Sequence, residues 1–484
     1  MRSLWILAGL LLLAGCVATP SQRGAPIDDG RADGDATLAA CADRFARLDD
    51  AVDAAGVRDG AAARVSGHPH LRTSRFLAAE ARRPARDVTA LLAAMRALDR
   101  EARQHEIANL PDGALARLGA PDRPAFVTAV ETCGARLLAR TTAAALDRAT
   151  VPDDYETWKR VAGAYAIARV PFAAGVRGYQ RETERTFATP LDQLPVTRAL
   201  VRYVPPAGPP GHDDVAALDP FADIAPDVLA AWFARHSPVL EIDTATDADL
   251  PGAPVWTAEG RVDVDVARPV MFTRLVHTRF AGQVLPQLVY SVWFPARPKQ
   301  GALDLLGGRL DGITWRVTLG PDGAPWIHDT IHQCGCYHQF FPTPAVGARP
   351  PAPGLDEGAF VPQRLPTVPA DGRIVLRVAA VTHYLQRVSI ERGVIDGAPI
   401  AFAPDDALRS LPDPQGGRRS LFRPDGIVPG TERGERWFFW PMGVAEPGAM
   451  RQWGRHATAF IGRRHFDEAG LLDRYFEVAP PGSP

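Results

Sequence analysis

The chain has 484 residues and a formal net charge of −2, from 54 basic and 56 acidic side chains. This balance excludes the general attraction to nucleic acid or anionic surfaces that a basic protein has, so no nucleic-acid partner is expected. Apolar residues at 46% and charged residues at 23% describe a globular body large enough for two or three domains with real cores.

At the N-terminus, Met1-Arg2-Ser3 carries one positive charge, and Leu4 to Leu13 is an almost unbroken apolar run. Residues 1–15 read as a secretory signal, too short to span a bilayer. Leu13-Ala14-Gly15-Cys16 closes the run and resembles the lipobox of bacterial lipoproteins. The resemblance implies cleavage before Cys16, lipidation of Cys16 and a place in the cell envelope. By the sorting habit of the family it resembles, Val17 after the cysteine, rather than Asp, implies the outer membrane, with the body facing the periplasm. Acyl chains on Cys16 make the membrane a partner, because each buried methylene contributes about 0.8 kcal/mol. Residues 16–36 then form the lipidated end and a polar, glycine-rich spacer. The body also resembles bacterial lipoproteins, without pointing to an activity.

Residues 37–204 read as a helical domain. Leu38, Cys41, Phe45, Leu48 and Val52 form one apolar stripe at helical spacing. Ala85 to Asn109 carries Val88, Leu91, Leu92, Met95 and Leu98 in the same way. Pro121-Asp122-Arg123-Pro124 is a helix start, followed by Phe126, Val130, Cys133 and Leu137. Asp153-Asp154 opens a further helix through Trp158, Val161 and Tyr165, with a break expected at Pro171.

Residues 205–225 are proline- and glycine-rich and read as a linker. Residues 226–484 read as a β-rich domain with long proline-bearing loops, which makes the fold class α+β. One helix is expected from Pro226 to His236. Val262–Val266, Val270–Phe280, Gln287–Phe294, Ile313–Leu319 and Ile374–Val381 are expected strands. Gly320-Pro321-Asp322-Gly323 suggests a hairpin. Trp437-Phe438-Phe439-Trp440-Pro441 reads first as a buried strand, with an aromatic ligand wall as the lesser alternative.

The chain has five cysteines and twelve histidines. Cys41 and Cys133 lie on the apolar stripes of two helices and are read as a disulfide, which contributes about 2–4 kcal/mol in an oxidising compartment. Cys334 and Cys336 stand in His328-Asp329-Thr330-Ile331-His332-Gln333-Cys334-Gly335-Cys336-Tyr337-His338. On a continuous strand, His328, His332, Cys334, Cys336 and His338 share one face. A straight strand spreads His332 and His338 across roughly 20 Å, so only a turn at Gly335 gathers them.

Three readings stay open for this cluster. One is a copper or zinc site from His332, Cys334, Cys336, His338 and His328, completed by His277, His383, His456 or His465. The second is a strained Cys334–Cys336 disulfide, either a redox element or a loop clip. The third is a purely structural cluster, which makes the protein a non-catalytic envelope adaptor. Arg451, Arg455, Arg463 and Arg464 form a candidate anion-binding group. Asp304, Asp311 and Asp329 are weaker acid–base candidates; Asp311-Gly312 is most simply a turn. Asp329 is expected on the strand face opposite the histidines.

Overall fold

Side chains spaced three and four apart build the first helix, Ala36–Ala55, which buries Cys41, Phe45, Leu48 and Val52. The computed structural model describes residues 36–207, 221, 224–351 and 353–480. Cys16, the signal, the spacer and most of the linker therefore lie outside the described residues. Val88–Asn109 and Arg123–Leu138 complete a helical unit. The Asp87 and Asp122 side chains cap them by accepting from the N–H groups of Ala90 and Ala125. Cys41 and Cys133 form a disulfide across 92 residues of sequence, with their Cα atoms 5.0 Å apart. By the chain-entropy argument, closing a loop of that length contributes about 4.6 kcal/mol.

This unit also holds a hairpin, Ala63–Val65 with His68–Thr73, that periodicity does not announce. It carries Arg72 into the helical core. Arg72 meets Glu106 at 2.6 Å and Asp99 at 3.4 Å, and Arg103 joins Asp49, Asp99 and Glu106. Arg72, Asp99 and Glu106 are fully buried. Burial works to raise the Glu106 carboxyl, but Arg72 and Arg103 outweigh it and hold it at about 2.

The helix after Asp154 breaks earlier than expected. Thr157–Ala162 ends at Gly163, and a second helix, Tyr165–Ala188, begins after Ala164 at φ 47°. Pro171 sits inside that second helix, in its second turn, where it removes the hydrogen bond to the Ile167 carbonyl without ending the helix. Strand pairing begins before the proline-rich stretch. Ala199–Val204 pairs with Val239–Thr244, and Phe187 enters the same core as the strands. The end of the expected helical domain thus belongs to the β-rich unit.

Among the described residues the β-rich unit has two large sheets and three two-stranded ones. The larger has six strands in the order Gln339–Pro342, Pro325–His332, Gly308–Leu319, Gln283–Arg297, Val270–Phe280, Ala401–Pro404. All its neighbours are antiparallel except the last pair. The smaller has five strands in the order Leu385–Arg392, Gly372–Val378, Val239–Thr244, Ala199–Val204, Ala398–Pro399. Leu288, Tyr290, Trp315 and Val317 from one sheet share a core with Leu240, Ile242, Leu376 and Val388 from the other. Trp232 and Phe233, from helix Pro226–His236, close it. The other face of the large sheet carries Arg274, Ser291, Arg316 and Asp329. The aromatic tract is no strand: Arg436–Phe439 is a helical turn followed by the 3-10 turn Trp440–Met442, with Trp437 and Phe438 exposed. Four consecutive aromatics cannot alternate between core and solvent here, and a helical turn splits them.

Removing one partner from a buried ionic network leaves its neighbour's charge uncompensated, at a cost of about 3–5 kcal/mol. Arg72→Met is expected to lower stability by that order in denaturant unfolding. The depressed Glu106 carboxyl contributes stability that is complete above its unfolded value of 4.5 and lost as pH falls towards 2. Glu106→Gln should therefore remove part of the acid-induced loss between those values. An unchanged acid profile would show that Glu106 is not linked to folding.

Candidate functional site

Leu310 and Asp311 lie near the start of strand Gly308–Leu319, where Leu310 adopts φ 50°. Asp311 is no turn residue; it is fully buried. Its carboxylate lies 2.9 Å from His383 Nδ1, 3.4 Å from His332 Nδ1 and 3.5 Å from Arg433 Nη2. Burial opposes ionisation, yet Arg433 and the two imidazoles hold Asp311 well below the ordinary carboxylate range. His383 lies 3.3 Å from Asp249 on its other side and stacks on Phe294, with ring centroids 4.0 Å apart. Burial disfavours its charge, but Asp249 and Asp311 prevail and raise it. Strain collects here as well. Leu310, Tyr337, Val381 and His383 are four of the seven non-glycine residues with positive φ among the described residues, a pattern that marks over-determined functional regions.

His332 opens a tight turn. Its N–H donates to the Cys336 carbonyl at 3.0 Å, and Gly335 N–H donates to the His332 carbonyl at 2.7 Å. Gly335 is required: its φ is +90°, and a Cβ there would lie 2.5 Å from the Ala457 carbonyl oxygen. Arg451 fixes the turn from outside by donating to the Cys334 carbonyl. The turn puts Cys334 and Cys336 side by side as free thiols, Cys334 buried and Cys336 half-buried. A hydrogen bond between the sulfurs lowers the Cys334 thiol. The same bond, with burial, raises Cys336 well above its usual range.

Both thiols line a cavity of about 470 Å³ between helix Tyr165–Ala188 and the β-rich unit. Phe172, Tyr179, Phe360, Phe439 and Phe460 supply aromatic walls. Tyr384 donates to the Tyr337 hydroxyl at 2.9 Å, and Arg297 donates to Tyr384 at 3.3 Å. Glu435 also lines the cavity and is only 5% exposed. Among the described residues its carboxyl has no ion pair, and burial pushes it up to about 7. Such a group exchanges protons at neutral pH, beside two thiols.

The expected copper or zinc set does not converge. The turn brings the two sulfurs together but sends the histidines to different partners. His332 points to Asp311. After the turn, Tyr337 at φ 61° resets the alternation, and His338 emerges beside Asp329, 2.8 Å from its carboxylate. Asp329 in turn pairs with Arg316. His328 stacks on Trp315 and lines a separate cavity of about 290 Å³ with His236. His277 packs on Phe76, His456 near Phe466, and His465 lies 3.3 Å from Asp153. The one group of three donors within 4.8 Å of one another among the described residues is Glu101, His105 and Asp406, elsewhere. Tetrahedral zinc wants four donors, and the turn offers two sulfurs.

The four arginines diverge too. Arg451 donates to the carbonyls of Cys334, Ala445 and Glu446. Arg464 binds Thr458 and the Gly358 carbonyl, Arg463 pairs with Asp153, and Arg455 lies 3.4 Å from Asp154. Their guanidinium groups hold loops together and leave no shared anion site. Glu435, Tyr337, Tyr384 and the role of Asp311 escaped sequence reasoning. Glu435 stands next to the aromatic tract, and that adjacency was the available signal.

The charge of Glu435 raises both thiols. Above about pH 7, where this carboxyl is ionised, Glu435→Gln should speed alkylation of the pair several-fold. Below pH 6 the two proteins should react alike. Identical rate profiles across the range would detach Glu435 from the thiols. No protein-family model, curated protein or solved structure matches the chain, so the chemistry of the cavity carries the functional reading.

Proposed function

We propose that the chain is an envelope lipoprotein, anchored through Cys16 to the outer membrane, with a redox-active Cys334–Cys336 dithiol. Its electron acceptor is an apolar molecule of the quinone class held in the cavity. One conjunction carries this reading: two hydrogen-bonded thiols and a carboxyl titrating near 7 on the wall of a largely apolar cavity of about 470 Å³, to which eight aromatic side chains contribute and which Glu357 and Arg464 also line. That volume lies in the range of small-molecule sites, about 300–1,000 Å³. Aromatic walls suit a flat ring, and the Tyr337 and Tyr384 hydroxyls suit its oxygens.

In the step, Cys334, the more acidic thiol, loses its proton and its thiolate adds to the quinone. Cys336 passes its proton to Glu435 and attacks the Cys334 sulfur. The sulfur–quinone bond breaks, the disulfide forms, and the released hydroquinone takes up two protons. Two electrons and two protons have moved. Thiol chemistry is favoured over a metal centre because the imidazoles beside the turn already face Asp311 and Asp329.

A fully substituted benzoquinone, whose ring has no hydrogen to lose and so takes the thiolate only reversibly, without forming a stable thioether, tests this. Reduced protein should convert it to hydroquinone, and mass mapping should find Cys334 joined to Cys336. Cys334→Ser and Cys336→Ser should each abolish turnover. A dithiol inert to both quinone and glutathione disulfide would leave an adaptor role. Oxidation by glutathione disulfide alone would keep the redox pair and reject the quinone. For the anchor, metabolic labelling with an alkyne fatty acid should mark the native chain and not Cys16→Ser; labelling of both would remove the lipoprotein assignment.

A further inference from the structure

The exposed apolar side chains are not scattered. Among the described residues, six of the fourteen large exposed ones are Trp158, Val161, Ile167, Val170, Trp437 and Phe438. They stand on three neighbouring elements: Thr157–Ala162, the first turns of Tyr165–Ala188, and Arg436–Phe439. Their exposure is high: 77% for Val161, 76% for Ile167, 74% for Trp437 and 63% for Phe438. Thr157–Ala162 packs against Trp440–Met442, and Phe172 lies 5.4 Å from both Phe438 and Phe439. Leu303 and Leu305 extend the patch from the loop whose Leu305 carbonyl accepts from Glu435 N–H. A soluble protein rarely leaves so contiguous an apolar surface open without a use.

The patch is continuous with the cavity. Phe438 is exposed and also lines it, and Pro171 and Phe172 stand beside it in the wall. The patch therefore rims the cavity mouth. Residues 157–181 hold Lys159, Arg160, Arg169, Arg177 and Arg181 and no acidic residue. Lys159 pairs with Glu156, Arg436 lies 3.8 Å from Glu446, and Arg160 donates to the Met442 and Gly462 carbonyls, so the exposed Arg177 and Arg181 are the cations turned to solvent beside the patch. Lys159 lies over Trp158 and Arg436 over Trp437, with cation-to-ring distances of 5.8 and 4.9 Å. Tryptophan and phenylalanine among basic side chains make the composition of a surface that sits at a lipid headgroup layer.

We propose that this rim docks on the surface of an anionic bilayer and opens the cavity to the lipid phase, so that an apolar ligand enters without crossing water. The proposal rests on the reading of the cavity as a site for an apolar ligand, and its test does not depend on thiol chemistry. Rings and aliphatic chains leave water at the interface, while the basic groups meet lipid phosphates. One attachment through Cys16 would hold the body near the membrane; the rim would orient it.

The test uses residues 16–484 with Cys16→Ser, exported behind an ordinary cleavable signal, so that no lipid contributes. The probe is vesicles of phosphatidylethanolamine and phosphatidylglycerol, with phosphatidylcholine vesicles for comparison. Flotation should recover the protein with the anionic vesicles and much less with phosphatidylcholine, and its tryptophan emission should shift to the blue. Trp437→Ser combined with Ile167→Ser should weaken binding at least tenfold, with unchanged thermal unfolding, since both side chains are exposed. Alkylation of Cys334 and Cys336 in buffer should stay as before in this variant, which separates failure of the rim from failure of the redox centre. Absence of flotation, or equal flotation by the variant, would overturn the proposal. So would self-association abolished by the same substitutions without vesicle binding, which would assign the patch to a second copy of the chain.

Discussion

A single buried carboxylate, Asp311, holds together the three loops that build the cavity. It reaches His332, the first residue of the cysteine turn. It reaches Arg433, two positions before Glu435, and His383, next to Tyr384. An unpaired charge at full burial is very costly, so the three cationic or hydrogen-bonding partners must stay where they are. Thiols, carboxyl and tyrosine hydroxyls are thereby fixed relative to one another by one group that touches none of the cavity. The positive φ of Leu310 and His383 is the local strain that this arrangement supports.

The scaffold explains why the cavity lies where it does. The large sheet presents one face to the second sheet and the other to the helical unit and the C-terminal loops. The cysteine turn leaves the sheet at its end, past the last paired residue of strand Pro325–His332. Helix Tyr165–Ala188 lies over that end and supplies the outer wall. Its break from Thr157–Ala162 at Ala164 turns two apolar helix faces towards the same opening. Helix, aromatic turn and cysteine turn come from three distant parts of the chain, so a cavity at their junction depends on the packing of the whole β-rich unit.

The cysteines and the histidines of one short segment have different fates for a simple geometric reason. Alternation along a strand puts His328 and His332 on the face between the sheets, where Trp315 and Asp311 receive them. The left-handed residues of the turn end that alternation. His338 then falls on the other face, with Asp329 and Arg316. Only the sulfurs, inside the turn itself, stay together. Their shared hydrogen bond then divides their chemistry, favouring the charge on Cys334 at the expense of Cys336.

Much of the architecture was legible locally. Helical stripes marked Ala36–Ala55, Val88–Asn109 and Arg123–Leu138, because burial of one face imposes a 3.6-residue period. Two-residue alternation with β-branched and aromatic side chains marked Val270–Phe280 and the strands that hold 287–294, 313–319 and 374–378, but not Gln339–Pro342, Leu385–Arg392 or Ala401–Pro404. The cysteine turn was visible in Gly335, whose missing Cβ permits a conformation other residues resist. What the tertiary structure decided was every pairing across distance. Asp311-Gly312 reads as a turn because that dipeptide has no local sign of its partners 21, 72 and 122 residues away. Glu435 reads as an ordinary surface acid until burial removes its water. The arginines read as a basic patch until each finds a carbonyl or carboxylate of its own. Periodicity records which face of an element is buried; it carries no record of what that face meets. The chemistry of the cavity arises from those meetings.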